Sequence, residues 1–262
     1  MANRIRLDVA LVRRNIVVSR SQAESYVRLG RVMVNGRPGL KSGQLVSEAD
    51  KIEVKTSVQY VSRAALKLES ADSTFHIDWR GKTVLDVGSS TGGFTQYALQ
   101  HGAKKVFAVD VGTEQLHPSL RSDERIELHE KTDIRDVWPS QTESRGMSHE
   151  TRKNAVFIAK RIDIIVGDVS FISLRKILPH VSKLMTHESV LVAMVKPQFE
   201  AGQSSVKHKG VIKNDRMRRD ILHDFETWAR GHFIILDKKD SEVAGSKGNV
   251  ERFYLLRKLP TK

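Results

Sequence analysis

The amino-acid sequence predicts an α/β fold, in which a mostly parallel sheet ends in an antiparallel strand and follows a small α+β unit. Strand and helix patterns alternate from residue 82 to residue 258, which is typical of a parallel sheet covered by helices on both faces. The last two strand patterns have no helix between them, so we expect an antiparallel strand at that end. Residues 1–55 hold two helix patterns and short strands around a thin core, which indicates an accessory module.

Helical spacing and turn residues predict the elements of this first module. Apolar residues at helical spacing predict a helix over Arg6–Arg14. A second helix is expected to begin at a cap formed by Ser19 or Ser21 and to end near Gly30. Asn35-Gly36 is a strong signal for a tight turn. Strands are expected at Val32–Val34 and Lys51–Lys55. We place the domain boundary after residue 58, so that residues 59–262 form the second domain.

The second domain is expected to alternate strands and helices. Its predicted strands are Thr83–Val87, Lys105–Asp110, Ile126–Leu128, Ile162–Gly167, Val190–Val195, Phe233–Asp237 and Arg252–Arg257. Its predicted helices include one that begins after Ser62 and others at Thr91–Gln100, Leu174–Met185 and Asp215–Arg230. The stretch Pro139–Lys160 is polar and basic and has no clear periodicity, so we expect a long surface loop there.

The composition excludes several classes of protein. The chain has 262 residues, of which 39% are hydrophobic and 29% are charged, as in soluble globular proteins. No apolar stretch approaches the roughly 20 residues that a membrane helix needs. No apolar signal-peptide core follows the basic N-terminus, so a cytoplasmic protein is expected. The absence of cysteine excludes disulfides, thiolate metal sites and enzymes that attack a pyrimidine ring carbon through a cysteine.

The charge of the chain points to a polyanionic partner, most simply a nucleic acid. The formal net charge is +13 and the isoelectric point is about 10.0. Residues 1–60 carry 11 Lys and Arg against 5 Asp and Glu, whereas the rest of the chain carries 33 against 26. Because the first module is denser in positive charge, partner binding is expected to begin there.

The loop Asp86–Phe94 is the clearest signal of a binding site. A buried strand enters this loop and a helix follows at once, while its glycines let the backbone approach a ligand closely. The N–H groups at the start of the helix would face an anion, such as the carboxylate of methionine. Ser90 occupies the second glycine position of the dinucleotide fingerprint, which argues against a nicotinamide enzyme. The loop residues expected to bind a cofactor are Gly88, Ser89, Ser90, Thr91, Gly92, Gly93 and Phe94.

Residues after the next two strands complete the expected cofactor site. Asp110 lies 22 residues after Gly88, at a strand end where a carboxylate can accept both hydroxyls of a ribose, and Val111 follows it. Asp133 could reach an adenine or could cap a helical turn over Thr132–Asp136, and the sequence leaves both roles open. The loop, Asp110 and the terminal antiparallel strand together indicate an S-adenosylmethionine-dependent methyltransferase.

Charged residues at three strand ends form a candidate catalytic group. Asp168 and Lys196 each follow an apolar strand, and Glu251 opens the final strand. Open α/β sheets bind ligands at the carboxyl ends of their parallel strands, and an antiparallel strand begins at that same edge. Lys67, from the helix before the first strand, could complete the group, and Asp168 could also touch the cofactor. The alternative is a purely structural role, in which the two lysines and two carboxylates form a surface ion-pair network.

Several segments resemble the TlyA-type rRNA 2′-O-methyltransferases, a family also described as hemolysin A. The first 55 residues resemble the S-four RNA-binding domain, and the second domain is similar to the Rossmann-like class I methyltransferases of the FtsJ-like group. The loop Pro139–Lys160 is less typical and looks like an insertion. The matching segments cover nearly the whole chain in order: Val61–Leu68, Asp86–Thr95, Gly167–Phe171, Val195–Glu200 and Gly248–Glu251.

The resemblance implies that the protein methylates a cytidine ribose 2′-OH in ribosomal RNA, with S-adenosylmethionine as cofactor and rRNA or ribosomal subunits as partners. The family's Lys-Asp-Lys-Glu tetrad falls on Lys67, Asp168, Lys196 and Glu251. A ribose hydroxyl is a poor nucleophile that needs a base or strong positioning, and we choose Lys196 as that base. A lysine must be neutral to act as a base. The positive charge of Lys67 would lower the pKa of Lys196, whereas the carboxylates of Asp168 and Glu251 would raise it, so the sequence leaves the net direction open.

Basic residues of the first module are the expected RNA contacts, because they suit phosphate groups. These residues are Arg4, Arg6, Arg20 and Lys41, together with Arg63 near the connector. The loop Lys207-His208-Lys209 could touch RNA near the target. The histidines lack the spacing of zinc ligands, so no metal is expected, and a monomer is favoured.

Three other functions are alternatives to rRNA ribose methylation. Enzymes that methylate a base nitrogen usually carry an Asn/Asp-Pro-Pro-aromatic motif, whereas this chain has Asp168-Val169-Ser170-Phe171 at that place. An RNA-binding or ribosome-assembly factor would keep the cofactor fold without catalysis, and it would not bind S-adenosylmethionine. A pore-forming toxin, which the hemolysin name suggests, is disfavoured because the sequence shows no membrane span.

Overall fold

The N-terminal domain consists of two helices and five short strands among the residues described. The computed structural model describes residues 4–55, 59–140, 155–158, 161–201, 211–212, 214–243, 245 and 248–260. The elements of this domain are β1 (Ile5–Arg6), α1 (Leu7–Arg13), α2 (Arg20–Arg28), β2 (Val32–Val34), β3 (Arg37–Pro38), β4 (Leu45–Val46) and β5 (Ile52–Val54). Strand β2 lies between β3 and β5, and β1 pairs with β4; all of these pairings are antiparallel.

Residues predicted to mark a helix start and a tight turn do so. The hydroxyl of Ser19 accepts a hydrogen bond from the Gln22 N–H at 3.2 Å, so Ser19 caps α2. Asn35 and Gly36 have φ angles of 49° and 76°. Two successive residues in the left-handed region are what a two-residue hairpin turn requires, and this turn joins β2 to β3.

The second domain contains a seven-stranded sheet and helices on both of its faces. The helices are α3 (Arg63–Phe75), α4 (Gly93–Gln100), α5 (Pro118–Arg121), α6 (Leu178–Leu184), α7 (Pro197–Glu200) and α8 (Asp215–Arg230). The strands are β6 (Thr83–Val87), β7 (Lys105–Val109), β8 (Ile126–His129), β9 (Val137–Pro139), β10 (Val156–Ile158), β11 (Ile162–Gly167), β12 (Met185–Val195), β13 (Phe233–Asp240) and β14 (Arg252–Lys258). Across the sheet the strand order is β13-β14-β12-β11-β6-β7-β8.

The topology of this sheet confirms the predicted fold class. Strands β6, β7, β8, β11 and β12 run parallel, whereas β14 is antiparallel to both β12 and β13. All five residues of β6 are buried, because this strand lies in the middle of the sheet. The chain leaves β6 toward β7 on one side and returns as β11 on the other. The strand order therefore switches between β6 and β11, which is where open α/β sheets form a ligand crevice.

Two of the segments in which the structure differs from the sequence prediction are Pro139–Lys160 and Leu174–Met185. Within Pro139–Lys160, residues Val156–Ile158 form β10, which pairs in parallel with β9; residues 141–154 and 159–160 lie outside the described residues. Three apolar residues are too few to show a periodicity, so this strand escaped prediction. The predicted helix Leu174–Met185 is divided into a 3₁₀ turn over Leu174–Lys176 and α6. Pro179 stands in the first turn of α6, where the absence of its N–H costs no helical hydrogen bond.

One hydrophobic core continues from the N-terminal domain onto one face of the large sheet, and a second core fills the other face. Tyr60 lies at the junction, where its ring contacts that of Tyr97 at a centroid distance of 6.2 Å. The buried side chain of Gln22 donates a hydrogen bond to the Tyr60 carbonyl at 2.7 Å. Arg31 and Glu69 form an ion pair at 2.8 Å between α3 and the residues that follow α2. Among the described residues, no helix is long and apolar enough to span a membrane.

Candidate active site

The glycine-rich loop between β6 and α4 follows a path that larger residues would obstruct. Gly88 and Gly92 have φ angles of +80° and +90°, which favour glycine. A Cβ atom on Gly88 would lie 3.0 Å from the carbonyl oxygen of Asp168, and one on Gly92 would lie 2.5 Å from Leu120 Cδ1. The loop is thus packed between the ends of neighbouring elements, and its backbone lines a cavity.

Asp110 holds this loop in place from the end of β7. Its Oδ2 accepts a hydrogen bond from the Ser90 N–H at 2.8 Å, and its Oδ1 accepts one from the Gly112 N–H at 2.7 Å. A carboxylate has roughly four acceptor positions, so these two bonds leave capacity for ligand hydroxyls. Asp110 and the exposed Val111 line a cavity of about 360 Å³.

Asp133 adopts the capping role that the sequence had left as one of two possibilities. Its side chain caps the 3₁₀ turn Ile134–Asp136 by accepting from the Arg135 N–H at 2.9 Å. The Arg135 guanidinium also donates to it at 2.9 and 2.6 Å, and this hydrogen bonding lowers the pKa of Asp133. Asp133 lines the same cavity as Asp110. Its contact with an adenine stays a prediction.

The four predicted catalytic residues come together as two ion pairs. Lys67 Nζ lies 2.5 Å from Glu251 Oε2, although 184 positions separate them in the sequence. Lys196 Nζ lies 2.5 Å from Asp168 Oδ1. The residues Lys67, Glu251 and Lys196 are only 5%, 3% and 8% exposed. All four line one cavity of about 480 Å³, because α3, the ends of β11 and β12, and the start of β14 meet at this edge of the sheet.

Ser170 is a further residue of the site that the sequence did not single out. Lys196 Nζ donates a hydrogen bond to Ser170 Oγ at 2.7 Å. Asp168 pairs with the Lys196 ammonium group by charge, and the hydroxyl of Ser170 accepts a hydrogen bond from one of its three N–H groups. The orientation of Lys196 toward the cavity is therefore set by both residues.

The two cavities form one cleft along the carboxyl ends of the parallel strands. Both are lined by Gly88, Ser90, Asp168, Ser170 and Phe171. One end of the cleft contains Asp110 and Asp133, and the other contains the two ion pairs. An elongated ligand could extend from the first end to the second.

Asp86, at the end of β6, is a fully buried carboxyl on the wall of the larger cavity. Its Oδ2 accepts a hydrogen bond from Thr95 Oγ1 at 2.7 Å, while its Oδ1 has no hydrogen-bond partner among the described residues. Burial, with smaller effects from the charges of Asp168 and Asp110, raises the pKa of Asp86 to about 7. An unfilled carboxylate acceptor next to a cavity is suited to a cationic group of a ligand.

An exposed aromatic residue stands at the mouth of the cleft. Phe171 is 92% exposed and has a φ of +67°, which is unusual for a residue with a bulky side chain. Its ring lies 5.4 Å from that of Phe199. The sequence signal that could have found it is a phenylalanine three residues after a strand-end aspartate.

The expected RNA-binding residues separate into two groups. Arg4, Arg6, Arg20 and Lys41 lie in the N-terminal domain and are not buried. Arg63, at the first position of α3, instead lines the cavity that contains the two ion pairs. The loop Lys207-His208-Lys209 lies outside the described residues.

The sheet order, the single antiparallel strand and the glycine loop at the switch point define a methyltransferase. Residues 60–258 match the model of the FtsJ-like methyltransferase family, and residues 5–52 match the S4 domain. The chain therefore belongs to the FtsJ-like methyltransferases, within the group formed by the TlyA methyltransferases and hemolysin A.

Two curated relatives support the placement within that group. TlyA of Mycobacterium tuberculosis, named 16S/23S rRNA (cytidine-2′-O)-methyltransferase, is 37% identical over 98% of this chain and 91% of its own length. Hemolysin A of Brachyspira hyodysenteriae is 36% identical over 94% of this chain and 97% of its own length. A solved structure of a candidate hemolysin from Streptococcus thermophilus has a TM-score of 0.67 and 32% identity, and the match covers all of this chain and 90% of that one.

Proposed function

We propose that this protein transfers a methyl group from S-adenosylmethionine to the ribose 2′-OH of a cytidine in ribosomal RNA. The observation that carries the proposal is the arrangement of Lys67, Asp168, Lys196 and Glu251 as two ion pairs in one cavity beside the glycine loop. The choice of cytidine as the target nucleotide and of rRNA as the substrate is supported by the name of the TlyA relative.

The cleft has groups that fit the ribose, the ammonium group and the carboxylate of S-adenosylmethionine. The remaining acceptor capacity of Asp110 suits the two ribose hydroxyls of a nucleoside. The unpartnered Oδ1 of Asp86 suits the ammonium group of the methionine part, and the start of α4 at Gly93 suits its carboxylate. Gly88 and Ser90, which line both cavities, lie where the two parts of the molecule join.

Lys196 is positioned to take the proton of the acceptor hydroxyl. When bound, S-adenosylmethionine supplies an electrophilic methyl group on a positively charged sulfur. To act as the base, Lys196 would first release its own proton to solvent, and it would then accept the 2′-OH proton as that oxygen takes up the methyl group and the sulfur keeps the electron pair. Asp168 and Ser170 hold the Lys196 nitrogen in place during this transfer, and Asp168 stabilises the ammonium that results.

The other residues of the cleft would place the acceptor. The Lys67–Glu251 pair lines the same cavity, where it can donate to and accept from the ribose. Arg63 lines the same cavity and suits the phosphate next to the target nucleotide. Phe171 presents an exposed ring on which a base can stack. The basic N-terminal domain would supply most of the remaining RNA affinity, in a protein of the cytoplasm.

A methyl-transfer assay with matched lysine variants tests this proposal. Tritiated S-adenosylmethionine is supplied with naked rRNA, with separate ribosomal subunits and with intact ribosomes. We expect Lys196→Ala and Lys196→Arg to lower the rate by about 10²–10⁴-fold, because arginine keeps the charge but cannot be deprotonated. Lys104→Ala, which removes an exposed lysine at the opposite edge of the sheet, should leave the rate unchanged.

Two outcomes would count against the proposal. Full activity of Lys196→Ala would eliminate the role of that lysine. A wild-type protein that binds RNA but shows no S-adenosylmethionine binding by calorimetry would instead be an RNA-binding or ribosome-assembly factor with a non-catalytic fold.

A further inference from the structure

The carboxylate of Asp8 holds two arginine side chains of the N-terminal domain next to each other. Arg6 donates from Nε to Oδ1 at 3.0 Å and from Nη2 to Oδ2 at 2.9 Å. Arg20 donates to the same Oδ2, from Nη2 at 2.9 Å and from Nε at 3.3 Å. The Asp8 side chain is completely buried, whereas those of Arg6 and Arg20 are 48% and 58% exposed.

This cluster keeps one positive charge in excess and turns part of each guanidinium toward solvent. Burial opposes the ionisation of Asp8, but the hydrogen bonds from Arg6 and Arg20 outweigh it and lower the pKa of this carboxyl. Each guanidinium has five N–H donors, of which Asp8 takes two. One phosphate diester carries a single negative charge, so it would bring the cluster of Asp8, Arg6 and Arg20 to neutrality.

We propose that Asp8 is a positioning residue that preorganises Arg6 and Arg20 as a clamp for one phosphate group of RNA. This inference rests on the proposed action on RNA and adds how the N-terminal domain holds it. Two guanidiniums next to each other repel, and each long side chain loses rotamer freedom when a ligand immobilises it. Asp8 offsets the repulsion and fixes both side chains before RNA binds. The neighbouring α1 backbone fixes Asp8 in turn, since the Val9 N–H donates to Oδ1 at 2.9 Å.

The sign of the effect of Asp8→Asn distinguishes the clamp from simple charge attraction. This substitution removes a negative charge from a basic domain, so attraction alone predicts tighter RNA binding. The clamp predicts binding weaker by on the order of tenfold, because two side chains must then be ordered on binding. It also predicts a salt slope of log K that is shallower by about one, since one phosphate contact is lost.

The measurement is fluorescence anisotropy of a labelled RNA stem-loop with the full-length protein over a range of salt concentrations. Glu24→Gln is the matched control, because Glu24 is exposed and acts on Arg6 only through its charge in raising the pKa of that arginine. We expect Glu24→Gln to bind RNA as tightly as the wild type or slightly more tightly. A folded Asp8→Asn variant that behaves like Glu24→Gln would overturn the clamp.

A second variant covers the case in which Asp8→Asn does not fold. The double variant R6K/R20K keeps Asp8 and both positive charges but removes the planar guanidinium forks. We expect it to bind RNA about tenfold more weakly, and wild-type affinity in this variant would refute the proposal. A wild-type protein that binds no RNA would contradict the proposed function itself, which separates that failure from failure of the clamp alone.

Discussion

Each lysine of the cavity is held by its own carboxylate, and this pairing determines what the site can do. Lys67 and Glu251 are almost completely buried, as is Lys196, so these are not the ion pairs of a solvated surface. Removing charges from water costs free energy that the attraction within a pair often fails to recover. A gain in folding stability is therefore a poor explanation for two such pairs in one cavity. A role in binding a ligand or in its reaction explains them better.

The pKa of Asp86 leads to a prediction about stability and pH. Because burial raises this pKa to about 7 from an ordinary value of 3.8, the contribution of Asp86 to stability is greatest below about pH 4 and is lost as the pH rises through about 7. Asn at this position cannot ionise and keeps an acceptor for Thr95. We therefore expect Asp86→Asn to gain stability relative to the wild type between pH 5 and pH 8, by on the order of 2 kcal/mol.

Thermal unfolding at pH 5 and at pH 8, without cofactor, measures the stability of the wild type and of Asp86→Asn. The same stability difference at pH 5 and pH 8 would contradict the raised pKa. In contrast to its stability, the affinity of Asp86→Asn for S-adenosylmethionine should fall, because the ammonium group loses its anionic partner.

At the scale of helices and strands, the sequence was most informative where an element is buried on both faces. The bounds of β6 and β11 agree with prediction because both strands are largely apolar, although each contains one aspartate. Strand β12 begins at Met185 and not at Val190, since its first residues are mostly polar and show no strand pattern. The strand β10 was missed for its shortness.

The positions of the site residues were predictable only where the topology of the sheet determines them. Asp168 and Lys196 were placed correctly because parallel strands end at one edge of a sheet. The partner of Lys67 was not predictable, since it depends on the packing of α3 against a residue 184 positions later. Arg63 was grouped with the RNA contacts, and only the orientation of α3 reveals that it lines the cavity of the two ion pairs.

The turn that leads into α4 can be tested with matched glycine substitutions. In Gly92→Ala the new Cβ would approach Leu120 and Leu116 to within 2.5 and 2.7 Å, at a φ of +90° that alanine rarely adopts. We expect this variant to lose about 1–3 kcal/mol of stability and to bind S-adenosylmethionine at least about tenfold more weakly, because the loop must move.

Gly167→Ala is the control for this prediction. Gly167 has no positive φ, and a Cβ there would meet nothing within 4 Å. Urea unfolding of both variants measures their stability, and calorimetric titration measures their affinity for S-adenosylmethionine. Equal cofactor affinity in Gly92→Ala and the wild type would show that the loop is not part of the cofactor site.

At the scale of the whole molecule, a basic RNA-binding domain and a methyltransferase domain share one hydrophobic core. Gln22, Tyr60 and the Arg31–Glu69 pair connect them. The proposed division of labour follows from this connection: the N-terminal domain holds the RNA backbone, and the cleft selects and methylates one nucleotide. The boundary after residue 58 remains a prediction, since residues 56–58 lie outside the described part of the chain.

The central claim is that the methyl acceptor is a ribose oxygen, and alkaline hydrolysis of the labelled product tests it most directly. Alkali cleaves RNA through attack by the 2′-oxygen, so a 2′-O-methyl group protects the phosphodiester that follows it. After transfer of tritiated methyl to rRNA by the wild-type protein, we expect the label in an alkali-resistant dinucleotide whose 5′ nucleoside is cytidine. Label recovered in mononucleotides as a methylated base would contradict the account.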